Sequence, residues 1–237
     1  MPLRAAQSSL HHQEDHWIPL SDLMTGLMMF FMLLAVSYML KVEADSQKVK
    51  DIVVLYDQLR TDLYTDLESE FKDDLGKWGA ELDRDLTVRF REPEVLFDTG
   101  SADLKPKFKN ILDDFFPRYV SILNSDKYRG SIQEIRIEGH TSSVWGSQRS
   151  NDDAYFRNME LSQSRTRSTL RYVLSLATVQ SEKNWLRTFL TANGLSSSKL
   201  IVDPQGAENT ARSQRVEFRV RTDADAKIAN ILQAVRW

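Results

Sequence analysis

The chain has 237 residues, a formal net charge of −3 and no cysteine, and hydrophobic residues make up 41% of it. This composition supports a core of ordinary size in one or two domains, and it excludes disulfides, Cys-ligated metal sites and thiol catalysis. Neither the charge nor any basic stripe with interleaved aromatic residues points to direct binding of nucleic acid. Residues 1–17 form a tail in which His11, His12 and His16 share no metal-ligand spacing with His140, so no metal site is expected.

Residues 18–41 are predicted to form a single transmembrane helix. The stretch from Leu23 to Leu40 carries no charge, and residues 18–40 would reach roughly 34 Å at about 1.5 Å per residue, enough to span a hydrocarbon core. The stretch is apolar all round, which a buried globular helix rarely is. A cleaved signal peptide is the alternative, but only Arg4 supplies a basic residue before the stretch, which is also long for a signal sequence. The positive-inside rule does not decide the orientation.

Asp22 lies one helical turn inside the predicted transmembrane helix, just before its uncharged stretch. An ionised carboxylate there costs about 2.5 to 3.5 kcal/mol on insertion scales, and such residues usually face a bundle interior and serve transport. The alternative is an interfacial aspartate at a helix N-terminus, favoured by the helix dipole and level with Trp17 as an aromatic anchor. Position alone leaves both interpretations open.

Residues 42–85 are predicted to form a long amphipathic helix between the membrane and a folded domain. The segment holds thirteen Asp or Glu against six Lys or Arg, and apolar residues recur every three or four positions from Ile52 to Leu82. The apolar stripe is too narrow for a globular core and suits a partner helix. A dimeric coiled coil and a helix lying on its own domain both fit, and the pattern favours the dimer. Gly76 and Gly79 weaken the last turns.

Residues 86–222 are predicted to form an α+β domain. Strands alternate with helices along this region, which indicates an α/β sandwich with a mixed sheet and helices on one face. Pro117 is expected to kink or break its helix. Residues 223–237 are expected to form an amphipathic tail that packs on the domain or on a dimer mate. The predicted strands are residues 87–90, 95–97, 134–138 and 214–221, and the predicted helices are residues 104–124, 158–178 and 182–193.

Four motif blocks in this region resemble the OmpA-like peptidoglycan-binding domain. The resemblance implies an α/β sandwich that binds the peptide part of peptidoglycan. Each block alone is weak, but their order along the chain makes the set specific. The blocks are Phe97-Asp98-x-Gly100-Ser101-Ala102-x-Leu104, Ile137-Glu138-Gly139-His140-Thr141, Asn158-x-x-Leu161-Ser162-x-x-Arg165 and Arg215-Val216-Glu217-Phe218.

The resemblance also implies a set of binding residues. Arg165 would grip the carboxylate of diaminopimelate, because a guanidinium can bind a carboxylate through two parallel hydrogen bonds. Without the motif, Arg165 would be interpreted as a surface or helix-packing arginine. The implied peptidoglycan-binding residues are Asn158, Leu161, Arg165, Thr141, Ser142 and Arg215.

The chain departs from the family pattern at Ser142. Family members usually have aspartate at this position, where it meets the ammonium group of the ligand. Here serine is followed by the insertion SVWGSQRSNDDAYFR, which precedes Asn158. Asp152 or Asp153 in the insertion is a candidate for the missing charge.

An N-terminal span with an acidic residue, followed by an OmpA-like domain, resembles the MotB-like small stator subunits of ion-driven motors. The stretch SDLMTGLMMFFML at residues 21–33 is most similar to the ZorB family of Zorya anti-phage defence systems. The resemblance implies a homodimer inside a pentameric ring of a multi-span, ZorA-like subunit in the bacterial inner membrane. The N-terminus would be cytoplasmic and the C-terminal domain periplasmic, gripping peptidoglycan. No cofactor is expected, and the transported ion would be H⁺ or Na⁺.

In this interpretation Asp22 binds and releases the ion. The low-dielectric interface disfavours its charged form, and an ion crossing the membrane yields about 2.3 kcal/mol per 100 mV. Ser21 and Thr25 would hydrogen-bond the carboxylate, and Gly26 would permit close helix approach. Three alternatives are a flagellar stator subunit, a passive wall tether and a wall hydrolase. The N-terminal tail lacks the basic run that is usual in flagellar stator subunits. The sequence shows no supported nucleophile–base pair, so the protein is not expected to be an enzyme.

Overall fold

The computed structural model describes residues 17–91, 96–146 and 150–223, which divide into two units at residues 52 and 53. Except for Trp17 and Asp223, the predicted histidine-bearing tail and the predicted C-terminal tail lie outside the described residues. In chain order the elements are α1 (Trp17–Trp78), β1 (Ala80–Leu82), β2 (Thr87–Phe90), α2 (Pro106–Leu123), β3 (Ile132–His140), α3 (Asn151–Ser175), a 3-10 turn (Ala177–Val179), α4 (Lys183–Phe189), β4 (Leu190–Gly194), α5 (Thr210–Ser213) and β5 (Arg215–Thr222).

The first unit consists of the N-terminal part of α1. Within it, the 28 residues Leu20–Gln47 form a stretch that is long and apolar enough to cross a membrane. None of the residues in the most apolar part of this stretch is buried. The predicted span at residues 18–41 overlaps this stretch. Apolar side chains such as Leu33 and Met28 are about 70% exposed within the described chain, as expected of a surface that meets lipid or partner helices.

The second unit begins inside α1, because the C-terminal part of this helix belongs to the domain core. Leu63, Leu67 and Phe71 are fully buried, and the ring of Phe71 lies 5.3 Å from that of Phe115 on α2. The preference for a dimeric coiled coil is therefore wrong for this part of the helix, whose apolar stripe is covered by its own domain. Ile52 and Tyr56, which begin the predicted stripe, lie outside the described side chains.

The helix ends at Trp78, earlier than the predicted residue 85. Gly79 follows with a φ of 63°, the left-handed conformation that commonly terminates helices. Residues 80–82 then form β1, an edge strand that pairs antiparallel with β2. The domain thus starts well before residue 86, since its sheet includes part of the predicted linker.

The domain is built on a mixed five-stranded sheet in the order β1-β2-β5-β3-β4. Neighbouring strands are antiparallel except β3 and β4, which are parallel. The predicted strands at residues 87–90, 134–138 and 214–221 and the α+β class are confirmed. Of the predicted strand at 95–97, Val95 lies outside the described residues, and Phe97 forms a single bridge with Leu104.

The predicted helix at residues 182–193 is wrong in its second half. Helix α4 ends at Phe189, and Leu190–Gly194 form β4 instead. Residues Ile135–Gly139 of β3 pair with this segment in parallel register. The pairing partner lies more than fifty residues earlier in the chain, so local periodicity could not reveal the strand.

The sheet has one apolar and one charged face, because side chains alternate along each strand. On the apolar face, Phe90 and Phe218 pack edge-on against Phe115 of α2, with centroid distances of 5.2 and 5.3 Å. Helix α2 passes through Pro117 without ending, so the expected break does not occur. On the other face, strands β2, β3 and β5 present arginine and glutamate side chains to one another.

Helix α3 starts seven residues earlier than predicted, inside the insertion. Its N-cap is Ser150, whose hydroxyl accepts a hydrogen bond from the Asp153 backbone N–H at 3.2 Å. Such a cap satisfies one of the donors that a helix N-terminus leaves without an intrahelical partner. The second half of the insertion is thus the first two turns of the helix that carries the predicted binding residues.

Candidate functional site

Five of the six predicted binding residues meet at one cavity of about 210 Å³. The cavity lies between the turn after β3, the start of α3 and the loop at residues 99–100. A larger cavity of about 620 Å³ lies between α3 and β4 and is lined by none of the predicted residues. The residues lining the smaller cavity are Thr99, Gly100, Thr141, Ser142, Val144, Trp145, Gly146, Asn158, Leu161, Arg165 and Gln214.

Two glycines bring α3 close enough to the sheet to form this cavity. A Cβ added to Gly139 on β3 would lie 2.7 Å from Thr166 Cγ2 and 2.9 Å from the Ser162 carbonyl oxygen. One added to Gly194 on β4 would lie 2.2 Å from the Gln163 backbone nitrogen. Only a residue without a side chain permits this approach. The close approach places α3 beside the turn that follows β3.

The same close approach determines which side chains α3 buries. The leucines of this helix, Leu161, Leu170 and Leu174, are only half-buried, and Ala177 just after it is exposed. Small polar residues fit the narrow gap, and their hydroxyls bond within the fold; Ser162 Oγ, for example, accepts the Ser196 N–H at 3.1 Å. The buried residues of α3 are Ala154, Asn158, Ser162, Arg165, Thr166, Thr169 and Val173.

Arg165 is a buried cation that faces the cavity. Its side chain donates from Nε to the Ser101 carbonyl at 2.8 Å and from Nη2 to the Asp98 carbonyl at 3.1 Å, and its guanidinium lies over the ring of Phe97. Burial lowers the pKa of Arg165 to about 10, so the group still carries its charge at neutral pH. Among the residues that the structure describes, no carboxylate forms an ion pair with it. A buried charge without a counter-ion is costly, and an anionic ligand would remove that cost.

Thr141 and Asn158 add hydrogen-bonding groups to the same cavity. The Thr141 hydroxyl is buried and has no hydrogen-bond partner, although the backbone N–H of this residue donates to the Ser196 carbonyl at 2.9 Å. Asn158 Nδ2 donates to the Val144 carbonyl at 3.4 Å, which turns the amide group of this side chain toward the loop beside the cavity. An unsatisfied buried hydroxyl costs about 1 to 3 kcal/mol, which a hydrogen-bonding ligand would recover.

Arg215 lies on the adjacent strand but does not line the cavity, so its assignment as a ligand contact is not supported. Its Nε donates to Glu217 Oε1 at 2.6 Å, and its Nη1 donates to the carbonyls of Lys199 and Ser213. Arg89 donates to the same Glu217 oxygen at 2.7 Å. Arg215 therefore anchors the end of the sheet to the loop before β5.

A buried ionic cluster formed by Glu138, His140 and Glu217 continues this anchor. Their ligand-type atoms lie within 4.8 Å of one another, as a metal site would require. Arginines already compensate the two carboxylates, and His140 Nε2 lies 3.6 Å from Glu217 and 3.7 Å from Glu138. Burial alone would raise the pKa of Glu217, but contacts with His140 and the arginines outweigh it and hold the pKa far below its usual range.

Asp153 does not replace the aspartate that family members usually have at the position of Ser142, because its side chain has another role. Its carboxylate accepts from the Ser150 hydroxyl at 3.0 Å in the cap of α3, and neither it nor Asp152 lines the cavity. A different carboxylate lies beside Ser142. Glu208 accepts the Ser143 backbone N–H at 3.0 Å and also accepts the Ser143 hydroxyl. Sequence reasoning missed Glu208 because the two residues are 65 positions apart.

Comparison with known proteins identifies the family. The family model described as OmpA family matches residues 96–188. The Zorya protein ZorB of Escherichia coli is 46% identical to this chain over 220 residues, covering 92% of this chain and 93% of that protein. The chain belongs to the ZorB family. The three motif blocks that contribute residues to the cavity, at 97–104, 137–141 and 158–165, lie within the matched OmpA segment.

Two solved structures are similar to part of this chain. A MotB-like protein from Desulfovibrio vulgaris is 24% identical, with a TM-score of 0.48, and the match covers 73% of this chain and 98% of that one. The cell wall anchor of the type VI secretion system from Pseudomonas aeruginosa is 21% identical, with a TM-score of 0.45, and the match covers 66% of this chain and 96% of that one.

The second predicted site of this ZorB-family chain lies in the first unit, on α1. Asp22 is exposed in this helix, as are the neighbouring side chains that the structure describes. The Thr25 hydroxyl donates to the Ser21 carbonyl at 2.8 Å, a bond within its own helix. Hydrogen bonding of Ser21 and Thr25 to the Asp22 carboxylate stays a prediction.

Proposed function

We propose that this ZorB-family chain is the small subunit of an ion-driven rotary motor in the bacterial inner membrane, and that it anchors the motor to peptidoglycan in anti-phage defence. The observation that carries the wall-binding half is Arg165, a buried guanidinium that faces an open cavity without a carboxylate among the described residues. Family membership and the acidic residue in the apolar part of α1 support the motor half.

The cavity suits the free carboxylate of a peptidoglycan stem peptide. The Arg165 guanidinium is fixed by two backbone carbonyls and the Phe97 ring, so its orientation does not have to be ordered on binding. Preorganisation of this kind reduces the entropy lost when a ligand binds. Thr141 would donate to the same ligand, and the half-buried Leu161 would contact its aliphatic part.

Peptidoglycan binding determines the proposed orientation. The wall lies outside the inner membrane, so the second unit would be periplasmic and the N-terminus cytoplasmic. The stretch Leu20–Gln47 would cross the bilayer once. Because the wall does not rotate, a domain that binds it holds the subunit still while a surrounding ring turns.

Asp22 is the proposed ion-binding group. Proton or sodium binding at this carboxylate and release from it would alternately change its contacts with a ring of multi-span, ZorA-like subunits that encloses two copies of this chain. The exposed apolar side chains around Asp22 fit such a ring. The energy source is the membrane potential, worth about 2.3 kcal/mol per elementary charge per 100 mV. The motor function involves no covalent chemistry and no cofactor.

A sedimentation assay with purified sacculi tests the wall-binding half. Full-length protein in detergent carrying Arg165→Ala should remain in the supernatant, whereas wild type should sediment with the sacculi. Arg171→Ala, an exposed position on the same helix, is the matched control and should sediment normally. Sedimentation of a folded Arg165→Ala variant at the wild-type level would refute the site.

A further inference from the structure

We infer that the loop Val144–Gly146 contacts a sugar ring of the peptidoglycan glycan strand, so that the site recognises a sugar-bearing muropeptide rather than the stem peptide alone. This inference rests on the proposed wall-binding function. It gives a role to the apolar part of the cavity, which takes no part in the binding of a carboxylate by Arg165.

The cavity has two chemically distinct walls. Arg165, Thr141 and Asn158 form a polar inner wall, whereas Val144 and Trp145 form an apolar wall. Val144 is 59% exposed and Trp145 is half-buried. The cavity volume of about 210 Å³ is smaller than the roughly 300 to 1,000 Å³ of pockets that enclose drug-sized ligands. A cavity of this size holds about one amino-acid residue, so the rest of a muropeptide must lie against the apolar wall or in solvent.

The apolar wall is held in place by the fold. Asn158 donates to the Val144 carbonyl, and Glu208 accepts two hydrogen bonds from the adjacent Ser143. Gly146 has a φ of 61°, which only glycine adopts readily, so the chain turns sharply after Trp145. Two anchors and a turn keep the side chains of Val144 and Trp145 at the cavity instead of allowing them to pack elsewhere.

The chemistry of this wall matches a hexose ring. One face of a pyranose presents C–H groups, which can lie on an indole, while its edge carries hydroxyl and N-acetyl groups. Tryptophan offers a large apolar surface together with one N–H donor, so it can contact both parts of such a ring. The apolar wall lines the same cavity as Arg165, which would bind the stem peptide. The sugar that contacts this wall is therefore the one nearest the stem peptide.

Two ligands separate the contribution of the sugar from that of the peptide. Isothermal titration of full-length protein in detergent would compare a disaccharide tripeptide ending in diaminopimelate with the same tripeptide lacking sugars. Burial of about 50 Å² of apolar surface corresponds to roughly tenfold tighter binding, so wild type should prefer the disaccharide ligand by about that factor. Trp145→Ala should bind both ligands with nearly the affinity of wild type for the bare tripeptide.

The control is Phe156→Ala, which removes an exposed aromatic side chain of α3 that does not line the cavity. It should keep the preference for the sugar. Val144→Ser, which leaves the tryptophan in place, should lower the preference partially and serves if Trp145→Ala does not fold. Equal binding of both ligands by wild type, or an equal loss for both in Trp145→Ala, would overturn the inference.

Arg165→Ala distinguishes failure of this inference from failure of the proposed function. If the bare tripeptide binds wild type but not Arg165→Ala while sugars add nothing, the wall-binding site stands and the sugar contact is refuted. If neither ligand binds wild type, both proposals are refuted together.

Discussion

The guanidinium of Arg165 lies 4.8 Å from the centroid of the Phe97 ring. These residues come from two separate motif blocks, one before α2 and one on α3, and their contact brings the blocks together at the cavity. A cation over an aromatic face is worth about 0.5 to 2 kcal/mol, more when it is desolvated. Phe97 thus helps to keep a charged group buried at a site where no protein carboxylate in the described chain compensates it.

Replacement of Phe97 should weaken wall binding without removing any group that touches the ligand. Phe97→Leu removes the ring under Arg165, and we expect roughly a three- to tenfold loss of affinity for the stem peptide, as the loss of about 1 kcal/mol predicts. Isothermal titration measures the change. Phe108→Leu, a neighbouring core substitution with a similar loss of volume, should lower the melting temperature while leaving affinity unchanged. Equal affinity losses in the two variants would contradict the assignment.

Gly139 should tolerate no side chain. In Gly139→Ala the new Cβ would meet Thr166 Cγ2 and the Ser162 carbonyl, so α3 must move away from the sheet. We expect a loss of about 1 to 3 kcal/mol in the free energy of unfolding, as for other overpacked sites, together with weaker binding to sacculi. Gly130→Ala is the matched control, since its Cβ would meet nothing within 4 Å. Wild-type stability of Gly139→Ala would show that the close approach is absent.

The C-terminal part of α1 should stabilise its own domain. Phe71→Ala removes a fully buried ring and should lower the free energy of unfolding by about 3 to 5 kcal/mol. The control is Val54→Ala, an exposed position on the same helix, with an expected change within about 0.5 kcal/mol. Thermal unfolding at several protein concentrations measures both. A loss for Phe71→Ala that disappears at high concentration would indicate an interface between copies instead.

Acid should destabilise the domain partly through Glu217. Its pKa is depressed in the folded state, so its contribution to stability is complete above its unfolded pKa of about 4.3 and is lost as the pH falls through the folded value. Glu217→Gln should cost about 3 to 5 kcal/mol at pH 7, because it leaves Arg89 and Arg215 without their shared carboxylate.

The pH profile of this variant provides a second readout. Below pH 4 its deficit relative to wild type should shrink, whereas the exposed substitution Asp126→Asn should follow the wild-type profile. Denaturant unfolding between pH 3 and pH 7 measures the effect. A deficit for Glu217→Gln that is the same across this range would show that the carboxylate charge is not involved.

The Asp22 carboxyl should be required for motor function but not for assembly. Asp22→Asn keeps the shape of the side chain and removes the charge, so we expect protection against phage to be lost while sacculus binding and membrane insertion persist. Glu43→Gln, another exposed acid in the same helix, should leave protection unchanged. Full protection by Asp22→Asn cells would leave the passive tether as the better interpretation.

The sequence alone was sufficient wherever a signal is local. Alternation of apolar and polar residues identified β2, β3 and β5, because each strand places apolar side chains on one face of the sheet and charged side chains on the other. The uncharged stretch after Asp22 identified the candidate span by length and composition. The motif blocks named five residues that line one cavity, since their spacing on α3 and on the turn after β3 is set by short stretches of chain.

Only the tertiary structure decided features that depend on distant parts of the chain. The stripe of Leu63, Leu67 and Phe71 reads the same whether it meets a second copy or its own domain, and the domain core settles the choice. Strand β4 exists because β3 offers it a partner. The polar buried face of α3, the Phe97–Arg165 contact and the Glu208–Ser143 pair likewise arise when separate segments pack together. Periodicity reports which face of an element is buried, but the identity of what covers that face is a property of the whole fold.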